Sequence, residues 1–418
     1  MLVLLLIVFV NLTGFGILMP ILPFYAQAFR APAWQVTWMF TAFSLGNFIA
    51  EPVWGRLSDR IGRRPILLGT IFASGLGFVG LAFAPSIWVA LAIRLVSGLT
   101  TGNLSTIQGY IADITPPERR SGRIGLLGAA FALGYVAGPA MGGLLVRPQA
   151  QAAAFQRPLF LAAGLSFLAA LGVALFVRES RRHTDSPRLT LRLMVEARRD
   201  PVLGRALLIS GLYACAFAAV ESTFGLWTQH RYGWGPRQLS YAFVAVAVIA
   251  ALAQGLVTGR LSQRFGEGPM LTLGLAMIAV TLALQPIGAG PPFTVALLAL
   301  TVLGQALTLP NISALISRTT PQDRQGAMLG LNTAVGALSR AAGPVMGGAL
   351  FSIVGPNAPM IVAALLTAPA IVLAWRAGQA ARVIESRGGG GDGETEPAQH
   401  AGGRGPGHER QPQPRGGA

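Results

Sequence analysis

Two apolar runs, residues 36–54 and 65–84, are joined by the ten residues Gly55-Arg56-Leu57-Ser58-Asp59-Arg60-Ile61-Gly62-Arg63-Arg64. A bilayer crossing needs roughly 20 mainly apolar residues, and both runs come close to that length. The four arginines and the aspartate between them are too costly for hydrocarbon, so the chain is expected to leave the membrane here in a tight turn and re-enter. Loops rich in Arg stay on the cytoplasmic side. This turn therefore orients every other connection.

The same ruler predicts twelve spans: 2–24, 36–54, 65–84, 87–111, 122–146, 158–177, 203–228, 239–258, 269–288, 293–316, 326–353 and 358–375. Residues 1–22 are apolar for too long, and lack the basic leader and small-residue site, to read as a cleavable signal. Arg56, Arg60, Arg63, Arg64, Arg119, Arg120, Arg123, the arginines from Arg178 to Arg205, Arg260, Arg264, Arg318 and Arg324 fall in alternate connections. The opposite set holds Arg30, Arg147, Arg157, Arg231 and Arg237. This asymmetry predicts a multi-pass protein of the cytoplasmic membrane with both termini in the cytoplasm.

Composition agrees with that class: 52% of residues are hydrophobic, 11% are charged and the mean hydropathy is +0.56. The formal net charge of +16 comes from arginines placed between spans. They form no stripe on one domain, so a nucleic-acid partner is not expected. The single cysteine, Cys215, lies inside an apolar run and reads as a packing residue.

The chain reads as a duplication. Gly259-Arg260-Leu261-Ser262-Gln263-Arg264-Phe265-Gly266 repeats the first basic turn with Gln263 at the place of Asp59. Gly125, Gly134, Gly138, Pro139, Gly142 and Gly143 recur at equal spacing as Gly330, Ser339, Gly343, Pro344, Gly347 and Gly348. The expected organisation is a six-helix half over 1–178, a cytoplasmic linker over 179–200, a second six-helix half over 201–376 and a disordered cytoplasmic tail over 377–418. Pro187 and Pro201 bracket a short amphipathic stretch around Leu189, Leu193 and Val195. The fold class is all-α membrane protein.

With these strings in view, residues 1–376 resemble the major facilitator superfamily, in its twelve-helix drug:proton antiporter type, and within it the tetracycline-efflux branch. The first basic turn fits that superfamily's G-x-L-a-D-r-x-G-r-[RK] signature. The glycine series fits the antiporter signature of span five, and Arg94 with Gly98 fits part of the span-four signature. Gly14-Phe15-Gly16-Ile17-Leu18-Met19-Pro20, Pro52-Val53-Trp54-Gly55 and Tyr110-Ile111-Ala112-Asp113-Ile114-Thr115 carry the branch resemblance. It implies two pseudo-symmetric halves rocking about a midplane site. It also implies a cytoplasmic gate of Gly55, Asp59, Arg60, Gly62, Arg63 and Asp113, in which Asp59 meets the start of span eleven and must let go for inward opening. The bare alternative is a topogenic loop whose arginines only set orientation. For the span-five glycines the resemblance implies a hinge; close helix packing by small residues is the alternative.

Ionisable residues inside spans usually face a cavity or a partner, and here they are Glu51, Arg94, Glu221 and Arg340. Removal from water penalises a carboxylate's charged form, so Glu221, set among Ala218, Ala219, Val220 and Phe224, is suited to carry a proton. Glu51 precedes Pro52 near a helix end and reads either as a substrate contact or as a snorkelling residue. Arg94 and Arg340 are the available counter-charges, and a permanent pairing with either would make Glu221 structural. Asn11, Phe15, Tyr135 and Phe217 are candidate cavity residues, although aromatic residues near span ends also form interfacial belts. His230 reads as interfacial. Tetracycline antiporters carry acids in spans one, three and nine; this chain has Asn11, Gly77 and Val280 there.

The leading reading is a monomeric exporter that moves an amphipathic small molecule against protons. No G-x-x-x-x-G-K-[ST] loop, nucleophile–base pair or metal-ligand cluster is visible, so neither cofactor, metal nor enzymatic activity is expected. An uncoupled or differently coupled facilitator of a sugar or organic anion is the alternative. A non-transporting scaffold acting through the linker and tail stands third.

Overall fold

The computed structural model describes residues 2–101, 103–146, 152–180, 201–253, 264–320 and 325–388. Among them every regular element is helical. In chain order these are α1 (Leu2–Gln27), α2 (Ala33–Ile61), α3 (Arg63–Ala82), α4 (Ile87–Thr101), α5 (Leu104–Asp113), α6 (Pro117–Leu145), α7 (Gln156–Phe176), α8 (Pro201–Tyr232), α9 (Pro236–Ala253), α10 (Glu267–Leu284), α11 (Pro291–Thr319), α12 (Gln325–Ile353) and α13 (Ala358–Gly388). Single 3₁₀ turns, Ala152–Phe155 and Gln285–Ile287, precede α7 and follow α10. Pro117, Pro201, Pro236 and Pro291 each open a helix, where a residue without an N–H loses nothing.

Among the described residues, eight stretches are long and apolar enough to cross a bilayer: Val3–Gln27, Arg63–Ala82, Ile87–Asp113 (α4 and α5 together), Ala153–Phe176, Val202–Tyr232, Glu267–Ile287, Pro291–Ser317 and Ala358–Gln379. Helices α2, α6, α9 and α12 occupy the other four expected stretches but are not in that set. Gln35, Asn47, Glu51 and Arg56 lower the apolarity of α2, and α6 and α12 are rich in Gly and Ala. The span expected over 87–111 is two helices. α4 ends at Thr101, α5 begins at Leu104, and between them Asn103 donates its side-chain N–H to Thr70 Oγ1 at 2.9 Å. A buried carboxamide needs such a partner, and finding it on α3 offsets the break in the backbone ladder.

Large apolar side chains lie exposed on the outer faces, among them Phe72 and Leu76 on α3 and Leu168, Leu171 and Leu175 on α7. Helical spacing puts each group on one stripe, which is stable against lipid. Hydroxyls inside the bundle are satisfied locally: Thr281 bonds Thr301 across α10 and α11 at 2.8 Å, and Thr308 donates to Gly304 O at 2.7 Å. α1 packs on α6 and α7, α3 on α7, and α2 on α4; α8 packs on α12, and α10 on α11. Two further pairings, α2 with α12 and α6 with α9, join early to late parts of the chain. Met1–Ala381 make one packed unit; in the second, Arg382–Ala418, the described residues continue α13 to Gly388. The second basic turn (residues 259–263), the amphipathic linker stretch and the tail beyond 388 lie outside the described residues.

Candidate functional site

Three of the four ionisable span residues, on α2, α8 and α12, are linked through one charge. The Arg340 charge reaches both Glu221 and Glu51, and Tyr213 feels both Glu221 and Arg340. Arg340 is exposed and the two glutamates are partly exposed, although all three lie well inside their helices. Ionisable side chains in that position usually face a cavity or a partner. Among the described residues none of the three makes an ion pair within contact distance. Two carboxylates sharing one guanidinium without locking to it leave room for a guest charge. Tyr213 stacks on Phe217 with ring centroids 6.2 Å apart, giving this space an aromatic wall on α8.

The fourth residue, Arg94, belongs elsewhere. It is 3% exposed, donates through Nε to Met39 O at 3.2 Å and lies over the Phe43 ring at 4.3 Å. Phe43 in turn packs on Phe15 at 5.3 Å. Arg94 thus ties α4 to α2 and orients an aromatic pair. Asn11 is partly exposed on α1. Of the two positions where the tetracycline branch carries acids in spans three and nine, Gly77 faces Ser97 of α4 and Val280 is 56% exposed on the outer surface of α10.

The glycine series forms backbone-close seams. A Cβ at Gly138 would stand 2.5 Å from the Gly16 backbone, and one at Gly142 2.5 Å from Ile17 O. A Cβ at Gly134 would lie 2.8 Å from Leu12 Cβ. Gly343 and Gly347 make the equivalent approach of α12 to α8, at Cys215 O (2.5 Å) and Ala219 O (2.7 Å). Pro139 sits within the α6 seam, and Gly143 meets Ser240 of α9. Gly125 and Tyr135 lie on α6, but their surroundings are outside the described residues.

At the basic turn, α2 stays helical through Ile61 and only Gly62 leaves the helix, at φ 113°. The expected ten-residue turn is therefore one residue long, because an L side chain is strained in that region and glycine is not. Gly55 is helical and lies against Ser105, while Arg60 is exposed. Arg63 bridges two acids, with its guanidinium 2.6 Å from Asp59 Oδ1 and 3.2 Å from Asp113 Oδ2, and it donates to Ser58 Oγ at 2.6 Å. Glu179 closes the cluster from far along the chain. Its carboxylate accepts the backbone N–H groups of Arg63 at 2.8 Å and Arg64 at 3.3 Å, capping the start of α3, where the helix dipole favours an anion. Ser180 donates to Asp113 Oδ2 at 3.2 Å.

Sequence reasoning missed the roles of Glu179, Ser180 and Ser58, and also Phe43. The available signal for Glu179 was an acid placed directly after an apolar span in an otherwise arginine-rich connection. Arg63→Met is expected to leave two acids facing each other with side chains only 10–19% exposed, at a cost on the order of 3 kcal/mol. Thermal unfolding in detergent should show the loss, and adding Asp113→Asn should recover part of it; an unchanged Tm would mean the bridge contributes nothing.

Apolar outer faces around helices long enough to span a bilayer, with ionisable residues inside the spans, define a multi-pass membrane protein. The sequence profile of the Major Facilitator Superfamily matches residues 4–255 and 223–400, and the chain belongs to that family of membrane transporters. It is 31% identical over 360 residues to the tetracycline resistance protein, class G, of Vibrio anguillarum, covering 83% of this chain and 89% of that protein. Multidrug resistance protein 2 of Bacillus subtilis (strain 168) is 24% identical over 354 residues, covering 83% of this chain and 87% of that protein. A bacterial homologue of the human lysosomal transporter Spinster, in an inward-facing and occupied conformation, shares the fold with a TM-score of 0.75 at 15% identity, covering 90% of this chain and 96% of that one.

Proposed function

We propose that the chain is a proton-coupled exporter of amphipathic drugs in a bacterial cytoplasmic membrane, with both termini cytoplasmic. Two six-helix halves rock about the space between α2, α8 and α12 and expose it to each side in turn. The observation that carries this reading is that the Arg340 charge acts on both Glu221 and Glu51 while, among the described residues, none of the three is locked in an ion pair. A cationic or polarised drug competes with Arg340 for the carboxylates, and Glu221 releases its proton when the drug enters and regains one after release. The relatives named for tetracycline and multidrug resistance support the substrate class. Repeated pairing of α1 with α6 and α8 with α12 supports the two halves.

Asn11, in place of the branch's span-one acid, favours a second reading, an uncoupled facilitator. The two separate in sealed proteoliposomes challenged with lipophilic cations, tetracyclines and neutral drugs. The exporter reading expects at least one drug to drive proton movement. Drug passage without proton movement supports the facilitator.

A further inference from the structure

A second cavity, of about 390 Å³, opens at the ends of the same helices farthest from the Gly62 turn. It is lined by Gln27 of α1, Ala33 of α2, Leu226, Gln229 and His230 of α8, and Phe351 of α12. These four helices also carry Phe15, Glu51, Glu221 and Arg340. At 1.5 Å per residue, the cavity lies roughly 12 Å beyond Glu221 along α8, about 16 Å beyond Arg340 along α12 and about 27 Å beyond Glu51 along α2.

Close contacts seal the interval on every one of these helices. Thr41 Oγ1 donates to Ala341 O at 3.1 Å, joining α2 to α12. Gly348 of α12 is pressed against Thr37 of α2, and a Cβ on Gly225 of α8 would stand 3.0 Å from Pro23 of α1. The contacts fall between the charged residues and the cavity in each sequence: Pro23 before Gln27, Thr37 and Thr41 between Ala33 and Glu51, Gly225 between Glu221 and Gln229, Ala341 and Gly348 between Arg340 and Phe351. The charged residues and the cavity are thus two regions of the same helices, with close contacts between them.

Their chemistry differs. The first presents full charges; the second presents two carboxamides, an imidazole and a ring. Among the described residues the side chains of Gln27, Gln229 and His230 make no hydrogen bond within the protein, so their donors and acceptors are free for a guest. A volume of this size falls in the range that accepts a drug-sized molecule. We propose that this cavity is a release subsite, which holds the exported amphipathic molecule by hydrogen bonds and ring contact after it has left the charged space. The inference rests on the exporter reading. It adds a second binding position whose lack of a carboxylate makes it the weaker of the two for a cation, which passes outward and departs.

Ethidium and tetracycline are suitable probes in oriented proteoliposomes that accumulate drug in the lumen, with drug preloaded there to slow further uptake. Gln27→Leu/Gln229→Leu is expected to raise the preloaded concentration giving half-inhibition about tenfold, from the loss of two hydrogen-bonding groups. The entry-side half-saturating concentration should change less than about twofold on that scale. Gln229→Trp, at an exposed position, should fill the cavity and reduce the maximal rate while leaving entry-side half-saturation intact. Unchanged luminal inhibition in both variants, or equal shifts on both sides, overturns the subsite alone. Export of neither probe by the wild type overturns the exporter reading and the subsite with it.

Discussion

Glu221→Gln is expected to bring drug-driven proton flux down to the leak of protein-free vesicles while the protein still assembles and binds drug. The substitution keeps the shape of the side chain and removes its titratable proton. Glutamine matches glutamate in size and carries no charge to be paired, so the helix packing of α8 has no reason to change. The measurement is pyranine fluorescence in sealed proteoliposomes, with size exclusion and drug-induced tryptophan quenching as controls for folding and binding. Wild-type proton flux in the variant would remove Glu221 from the coupling role. The companion change Arg340→Gln should behave differently: it frees both Glu221 and Glu51 from their shared cation, so cationic drugs should bind more tightly and leave more slowly. If Arg340→Gln and Glu221→Gln gave the same phenotype, the three charges would be acting as one fixed structural unit.

Gly138→Val is the second large effect. The added Cβ would fall 2.5 Å from the Gly16 backbone, and neither helix has a flexible side chain there to yield. Overpacking of this kind costs about 1–3 kcal/mol when side chains can move, and a backbone contact puts Gly138 at or above the top of that range. Assembled protein recovered by size exclusion should fall severalfold, and the melting temperature of what remains should drop. Gly128, on α6 before the first seam glycine, is the internal control: a Cβ there meets nothing within 4 Å, so Gly128→Val should match wild type. Equal losses at both positions would mean that helix propensity, and not the α1–α6 approach, governs this segment.

Glycine spacing marked the α1–α6 and α8–α12 seams without saying which helix each would meet. Gly134, Gly138 and Gly142 lie on one helical face, which is a local property; that Leu12, Gly16 and Ile17 supply the other side is a long-range one. The basic turn is similar. Its arginines and aspartate were plain in the chain, yet its reduction to Gly62 alone depends on α2 remaining helical through Ile61, held by Arg63 bridging to Asp59 and Asp113. The break between α4 and α5 falls in the polar stretch Thr100-Thr101-Gly102-Asn103, but that Asn103 is held by Thr70 of α3 depends on which helices meet.

Hydropathy and arginine placement by themselves determined the class of protein, because transfer of about 20 apolar residues into hydrocarbon is a sum over local side chains and needs no partner. They also yielded the short roll of ionisable span residues. Tertiary structure alone decided that the charge of Arg340, and not of Arg94, acts on Glu221, that Glu179 caps α3 from 116 residues away, and that a cavity lies beyond the α2–α12 and α1–α8 contacts. Those outcomes depend on which helix faces meet, and interactions between charges, cavities and seams arise only once distant residues are brought within a few ångströms of one another.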